Sequence, residues 1–387
     1  MLAFKLAYKN LIGAGLRTWL NVSVLSFAFV LIIFYNGMID GWNRQGRNDT
    51  QAWEVANGQY WHPEYDKLDV YSIKDGHQSL SPLIHQRVSK GEIVPLLIQQ
   101  ATIYPQGHMQ SILLKGIPAN QQLLELPTSV LQLSDSGVSA IIGKRMAETT
   151  RLKVGDNVLI RWRDKNGTFD AREVTIAAVF SCDVPGADNG QIYIDFDVMQ
   201  GMMGFENNAT ILVTADEAPI ALDGWDFKDL DFLLAELDQM IESKKGGGIV
   251  LQGVLLLLIA LLAIFDTQVL SIFRRQKEIG TYIALGLTRK QVVGIFTIEG
   301  GAHSILAAMV GAAYGIPFFL WLDTVGLSFG AADVGITIAE TIYPYYSLGL
   351  ILSTMLLVVM SATLVSYLPA RKIARMNPTE ALKGKIQ

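Results

Sequence analysis

The chain has 387 residues, half of them hydrophobic and 17% charged, with a net charge of −5 and a mean hydropathy of +0.31. An acidic, apolar chain of this kind is a poor partner for nucleic acid. Its single cysteine, Cys182, excludes an internal disulfide framework.

In chain order, residues 1–17 set Leu2, Leu6, Leu11 and Ile12 against Lys5, Lys9 and Arg17. That spacing predicts an amphipathic helix lying along the inner membrane interface. Four stretches then carry almost no charge: 18–39, 249–272, 292–322 and 341–370. Each can cross a hydrocarbon core of roughly 30 Å, for which about 20 helical residues suffice. The predicted fold is an α-helical membrane protein with four transmembrane helices and a large α+β domain inserted between the first two. The predicted partition places helix 1 at 18–43, the domain at 44–245, helix 2 at 246–272 and a cytoplasmic segment at 273–291. Helix 3 follows at 292–322, a short outer loop at 323–344, helix 4 at 345–368 and a cytoplasmic tail at 369–387.

Within the domain, which is large enough to hold its own core in one or two lobes, residues 52–117 read as mixed short elements. A helix is expected over 143–151. The alternation of Val158, Ile160 and Trp162 against Val174 and Ile176, around Asn166-Gly167, predicts a β-hairpin. Strands are expected at 191–196 and 209–213. Phe227, Leu230, Leu233, Leu234, Leu237 and Ile241 predict a helix over 226–245, broken by Gly246-Gly247-Gly248. In helix 3, Glu299 and His303 share a face and are expected to pair. Gly311 and Gly315 form a G-x-x-x-G step for close helix packing, and Pro317 is expected to end or kink the helix.

The sidedness follows from Lys and Arg. Of 31, 18 lie in residues 44–245, and all the others fall in the segment before helix 1, the segment between helices 2 and 3, and the tail. Short basic segments stay inside while long domains translocate, so both termini are expected in the cytoplasm and the domain outside. The domain itself carries 28 acids against 18 bases. No catalytic constellation is readable. Residues 137–145 superficially suggest a phosphate loop, but five residues separate Gly137 from Gly143, and Arg145 stands where a magnesium-binding Ser or Thr is needed. The five histidines make neither an H-E-x-x-H pair nor a zinc spacing. No catalytic, cofactor or metal residue is expected in this chain.

The segment RQKEIGTYIALGLTRKQVVGIFTIEG, 275–300, resembles the signature of ABC transporter permeases of the MacB, FtsX and LolC/LolE group. AYKNLIGAGLRTWLN, 7–21, is similar to that family's interfacial helix, and YLPARKIARMNPTEALKGK, 367–385, to its tail. IIGKRMAETTRLKVGDNV, 141–158, and VTIAAVF, 174–180, resemble its membrane-distal domain. The resemblance implies a type VII ABC assembly in the bacterial inner membrane: two permeases, identical or homologous, with a dimer of separate ATPase subunits that bind ATP and magnesium. It implies an ATPase-coupling role for Arg274, Lys277, Glu278, Gly280, Leu285 and Gly286, and helix packing by Glu299. The mechanism implied is mechanotransmission to the periplasmic domain. The substrate implied is a lipoprotein, as in LolCDE, reaching the assembly laterally past Met38, Trp42, Leu251, Val254 and Leu255. The hairpin turn within 161–172 is short where LolC-type permeases carry a long chaperone-docking arm, which leaves a LolE-like or MacB-like role open. The alternatives are an FtsX-type regulatory permease whose periplasmic partner is a cell-wall hydrolase, or MacB-like efflux of peptides or antibiotics.

Overall fold

The computed structural model describes residues 15–132, 137–218, 220–244, 250–328 and 341–373. The predicted interfacial helix before Gly15, the triple glycine at 246–248 and the tail beyond Ile373 lie outside them. The chain divides into two compact units. One comprises Met1–Arg44, Met240–Gly330 and Thr341–Gln387, and the other Gln45–Gln239 with Ala331–Glu340.

The first helix, α1, runs Leu16–Thr50, past the predicted end at residue 43, and closes in one π-helical turn at Gln51–Val55. No proline interrupts it, and two of its glycines are fixed by packing. A Cβ on Gly37 would overlap the Tyr346 ring, and one on Gly41 would overlap the Tyr343 carbonyl. The Tyr345 N–H donates to the Gly37 carbonyl at 2.8 Å, so the small residues form a notch that seats the Tyr343–Tyr346 segment before the last helix.

The second unit is an α+β domain. Its elements are β1 (Gly58–Trp61), β2 (Gln78–Ser79), α2 (Pro82–Ser89), β3 (Ile93–Ile103), β4 (Gln110–Ile117), β5 (Val138–Gly143), α3 (Lys144–Thr150), β6 (Asn157–Arg163) and β7 (Phe169–Phe180). They continue with α4 (Pro185–Asp188), β8 (Gln191–Asp195), α5 (Phe196–Met203), β9 (Asn208–Ala209), β10 (Ile211–Thr214), β11 (Asp226–Asp229) and α6 (Leu230–Lys244). Nine strands join in the order β11-β1-β10-β3-β4-β8-β5-β7-β6. β3 is long enough for one edge to pair with β10 at Ile93–Leu96 and with β6 at residues 101–103. The second pairing closes β3, β4, β8, β5, β7 and β6 into a ring.

The strands pleat, so neighbouring residues enter different cores. Leu97, Leu114, Ile192 and Ile194 belong to one apolar cluster, while Ile98, Ile117 and Tyr193 belong to the other. The predicted hairpin is β6–β7, with Val158 opposite Val174. Its turn is held by the Asp164 carboxylate, which accepts from the N–H groups of Asn166 at 2.9 Å and Thr168 at 2.8 Å. Gly167 supplies the positive φ. The predicted strands at 191–196 and 209–213 are β8 and, two residues later in its start, β10. The helix predicted from residue 226 starts instead at Leu230. Asp226–Asp229 is drawn into β11 because β1 offers a free edge, pairing Tyr60 with Phe227, whose ring centres lie 5.0 Å apart in a tilted contact.

In the first unit, α7 (Val250–Arg274), α8 (Gln276–Ala284) and α9 (Arg289–Val325) follow. β12 (Leu327–Ser328) then pairs with β13 (Thr341–Ile342), before α10 (Leu348–Ile373). Three helices, those containing 18–55, 289–325 and 348–371, are long and apolar enough among the described residues to cross a membrane. This is a membrane protein. α7, which covers the predicted helix 2, is a 25-residue helix but is not among those three. Val22, Leu25, Phe29, Ile33, Ala307 and Ala362 form the buried centre of the bundle. α9 passes through Pro317 without ending, which excludes the helix stop among the two outcomes expected there.

Candidate functional site

The segment between α7 and α9 is an elbow built by local rules. α7 stops at Arg275, whose φ of −100° and ψ of 16° leave the helix. α8 then makes a short run that closes at Leu285, where the Leu285 N–H donates to Thr281 and the Gly286 N–H to Ile283. Gly286 takes a φ of +94°, a backbone state that favours glycine. Thr288 begins α9 with a capping box: its hydroxyl accepts from the Gln291 N–H at 3.3 Å, and its own N–H donates to Gln291 Oε1 at 2.8 Å.

The elbow has an inner and an outer face. Ile279 is buried with Val292, Phe296 and Ala370, and Ile283 packs beside them. Gly280 is also buried. Outward face Arg274, Lys277, Glu278 and Gly286, together with Leu285, which is 75% exposed. The six residues predicted for coupling are therefore gathered into one elbow, with Gly280 inside and the other five outside.

Arg275 was not among them, yet it is the hub. Its Nε donates to Glu278 at 2.8 Å and its Nη1 to Glu299 at 3.1 Å. Its guanidinium carbon lies 5.1 Å from the centre of the Phe296 ring. Burial works against its charge, but the hydrogen bonds and fields of Glu278 and Glu299 outweigh it and hold the guanidinium above its usual range. Glu299 is 3% exposed, so this ion pair ties the elbow to the interior of α9. The Arg275–Glu278 spacing was readable from the sequence, whereas the contact across 24 residues to Glu299 was not.

The predicted Glu299–His303 pair takes another form. His303 Nδ1 meets the Glu299 backbone carbonyl at 2.7 Å, while the carboxylate reaches Arg275. Gly311 and Gly315 face α1. A Cβ on Gly311 would lie 3.3 Å from Phe29, and one on Gly315 would lie 3.0 Å from Val30. Of the residues predicted for lateral substrate access, Met38 and Trp42 are half-buried on α1, and Leu251, Val254 and Leu255 are exposed on α7.

Residues 250–378, which hold this elbow and its flanking helices, match the family described as FtsX-like permease C-terminal. LolC of Xylella fastidiosa, a lipoprotein-releasing system transmembrane protein, is 24% identical over 329 residues, covering 75% of this chain and 76% of its own. The C-terminal third of the chain therefore carries an FtsX-like permease domain, and the chain is similar to permeases of the MacB and LolC group. An uncharacterized ABC transporter permease of Methanocaldococcus jannaschii is 28% identical over 33% of this chain. A macrolide export ATP-binding/permease protein, MacB 2, of Aeromonas hydrophila is 31% identical over 34% of it. The matched segments span only 30% and 18% of those two relatives. The periplasmic region of MacB from Actinobacillus actinomycetemcomitans aligns with 49% of this chain and 96% of its own length, at 10% identity and a TM-score of 0.32, a likeness too slight to carry an argument.

Proposed function

We propose that this FtsX-like permease transmits force from a separate ATPase dimer, which binds ATP and magnesium, to its large domain on the far side of the membrane. The observation that carries the reading is Arg275. A push on the exposed face of α8, at Lys277, Glu278 and Leu285, is delivered through the Arg275–Glu299 pair into α9 without a flexible linker. The Lys and Arg distribution supports cytoplasmic termini, a cytoplasmic elbow and a periplasmic domain, with α7 as a fourth span. A second permease, identical or homologous, completes the assembly, and nucleic acid has no part in it.

The substrate class we infer is a lipid-anchored protein released from the inner membrane. The likeness to LolC along three quarters of the chain supports this, as do exposed apolar side chains at Leu251, Val254 and Leu255 that could meet acyl chains. A second reading, MacB-like efflux, is favoured by the β6–β7 turn, which closes within Asp164–Thr168 and leaves no protruding arm for a chaperone. Photocrosslinkers placed at Met38 and Val254 in cells separate the two. Acylated lipoprotein trapped at both positions is the expected result; trapping of phospholipid alone removes the lipoprotein reading.

A further inference from the structure

The domain contains a cavity of about 500 Å³, within the size range of small-molecule sites. Its wall is Ile73, Leu96, Ile98, Leu113, Ile211 and Leu233, and Leu68, Val70 and Phe232 stand around it with exposed apolar side chains. Two lysines also line it: Lys67, exposed and 3.9 Å from Glu54, and Lys115. In β4 the pleat sends Leu113, Lys115 and Ile117 to the same face, and Leu113 and Ile117 join the apolar cluster there. Lys115 is only 7% exposed.

Two amides on this face each make hydrogen bonds within the protein. Gln59 donates to the Glu54 carbonyl at 3.0 Å and accepts from the Trp61 indole at 2.7 Å. Gln191 accepts from the Tyr193 hydroxyl at 2.8 Å. Glu54, the acid whose field reaches Lys115, lies 3.9 Å from Lys67. Asp66 and Glu236, at the cavity edge, are exposed to water. Among the described residues Lys115 makes no hydrogen bond or ion pair, and its ammonium lies 5.7 Å from the centre of the Tyr193 ring. Burial pushes the amine below the usual lysine range, against the field of Glu54. A buried amine with no carboxylate costs stability unless something else neutralises it.

We propose that this cavity binds a fatty-acid-like amphiphile, its alkyl chain along the leucines and isoleucines and its carboxylate on Lys115 Nζ. Lys67 already faces Glu54, which leaves Lys115 as the ammonium for a ligand, and one ammonium matches a monoanion better than a phosphate dianion. The inference stands apart from the coupling reading, since no residue of the elbow enters it.

The test uses the full chain in lipid nanodiscs and a photoactivatable fatty acid, with dodecanoate, dodecylamine and dodecanol as competitors and peptide mapping as the readout. Labelling is expected on peptides carrying Ile73, Leu113 and Leu233. Dodecanoate is expected to compete about tenfold better than the amine or the alcohol, the difference a charge-assisted contact of roughly 1.4 kcal/mol makes. Lys115→Met should abolish that preference. Val70→Trp, at an exposed mouth position where folding is not at stake, should block labelling altogether. Labelling confined to the apolar helices, equal competition by dodecylamine, or full labelling of Val70→Trp would overturn the proposal. Competition by phospholipid alone would do the same.

Discussion

Arg275 is where a change of one side chain should separate folding from coupling. In Glu278→Lys the guanidinium keeps Glu299, so the elbow should still form, while the outer face presents the wrong charge to the proposed ATPase. The expected result in proteoliposomes is continued ATP hydrolysis with loss of transport; unchanged coupling would remove Glu278 from the contact. Arg275→Met acts differently, because it takes the cationic partner from a carboxylate buried in α9. Loss of one member of such a pair costs roughly 3 kcal/mol, the lower end for buried pairs because Arg275 is itself partly exposed. Thermal unfolding should show that loss, and adding Glu299→Gln should recover part of it. At this scale the sequence was half legible. An arginine three residues before a glutamate could be read directly, but a partner 24 residues on depends on how far α8 folds back. Lys115 sits in an alternating strand pattern that predicts burial, yet lysine alone gives no sign that its neighbours are already satisfied.

Among the elements, the G-x-x-x-G step shows what was readable and why. Small residues four apart on a helix make a groove in any context, and here α1 fills it: Gly315 stands where a Cβ would lie 3.0 Å from Val30. Gly315→Leu should therefore push α9 off α1 at a cost of about 1–3 kcal/mol, read as a lower unfolding midpoint in the purified chain. Gly201→Leu is the control, since nothing lies within 4 Å of its Cβ position. The β6–β7 hairpin was legible for a similar reason, because Asn166-Gly167 and period-two burial are local signals. β11 was not. Phe227 fits a helical period as well as a strand, and only the open edge of β1, more than 160 residues earlier, decides the matter. At Pro317 the helix does not end, since apolar helices packed among others tolerate a proline that would end a solvated one.

For the whole molecule, sidedness is the testable consequence of the Lys and Arg distribution. Cysteines placed at Lys165, on the exposed β6–β7 turn, and at Arg289, on the exposed elbow, should react with a membrane-impermeant maleimide from opposite faces. Reaction from one face would dismantle the proposed topology. Cys182 should not interfere, since burial pushes its thiol up to about 11 and leaves little thiolate to react. Hydropathy made the membrane class plain from the first reading, whereas the ring of six strands depends on pairings between distant segments that no local pattern encodes. The continuity of α1 carries one more consequence. Thirty-five residues wound without interruption behave as a screw of fixed thread: a single alanine inserted before Gly37 would turn the notch that holds Tyr345 about 100° away from the face that packs on Gly311, so the tolerance of this stretch to insertion should follow whole turns.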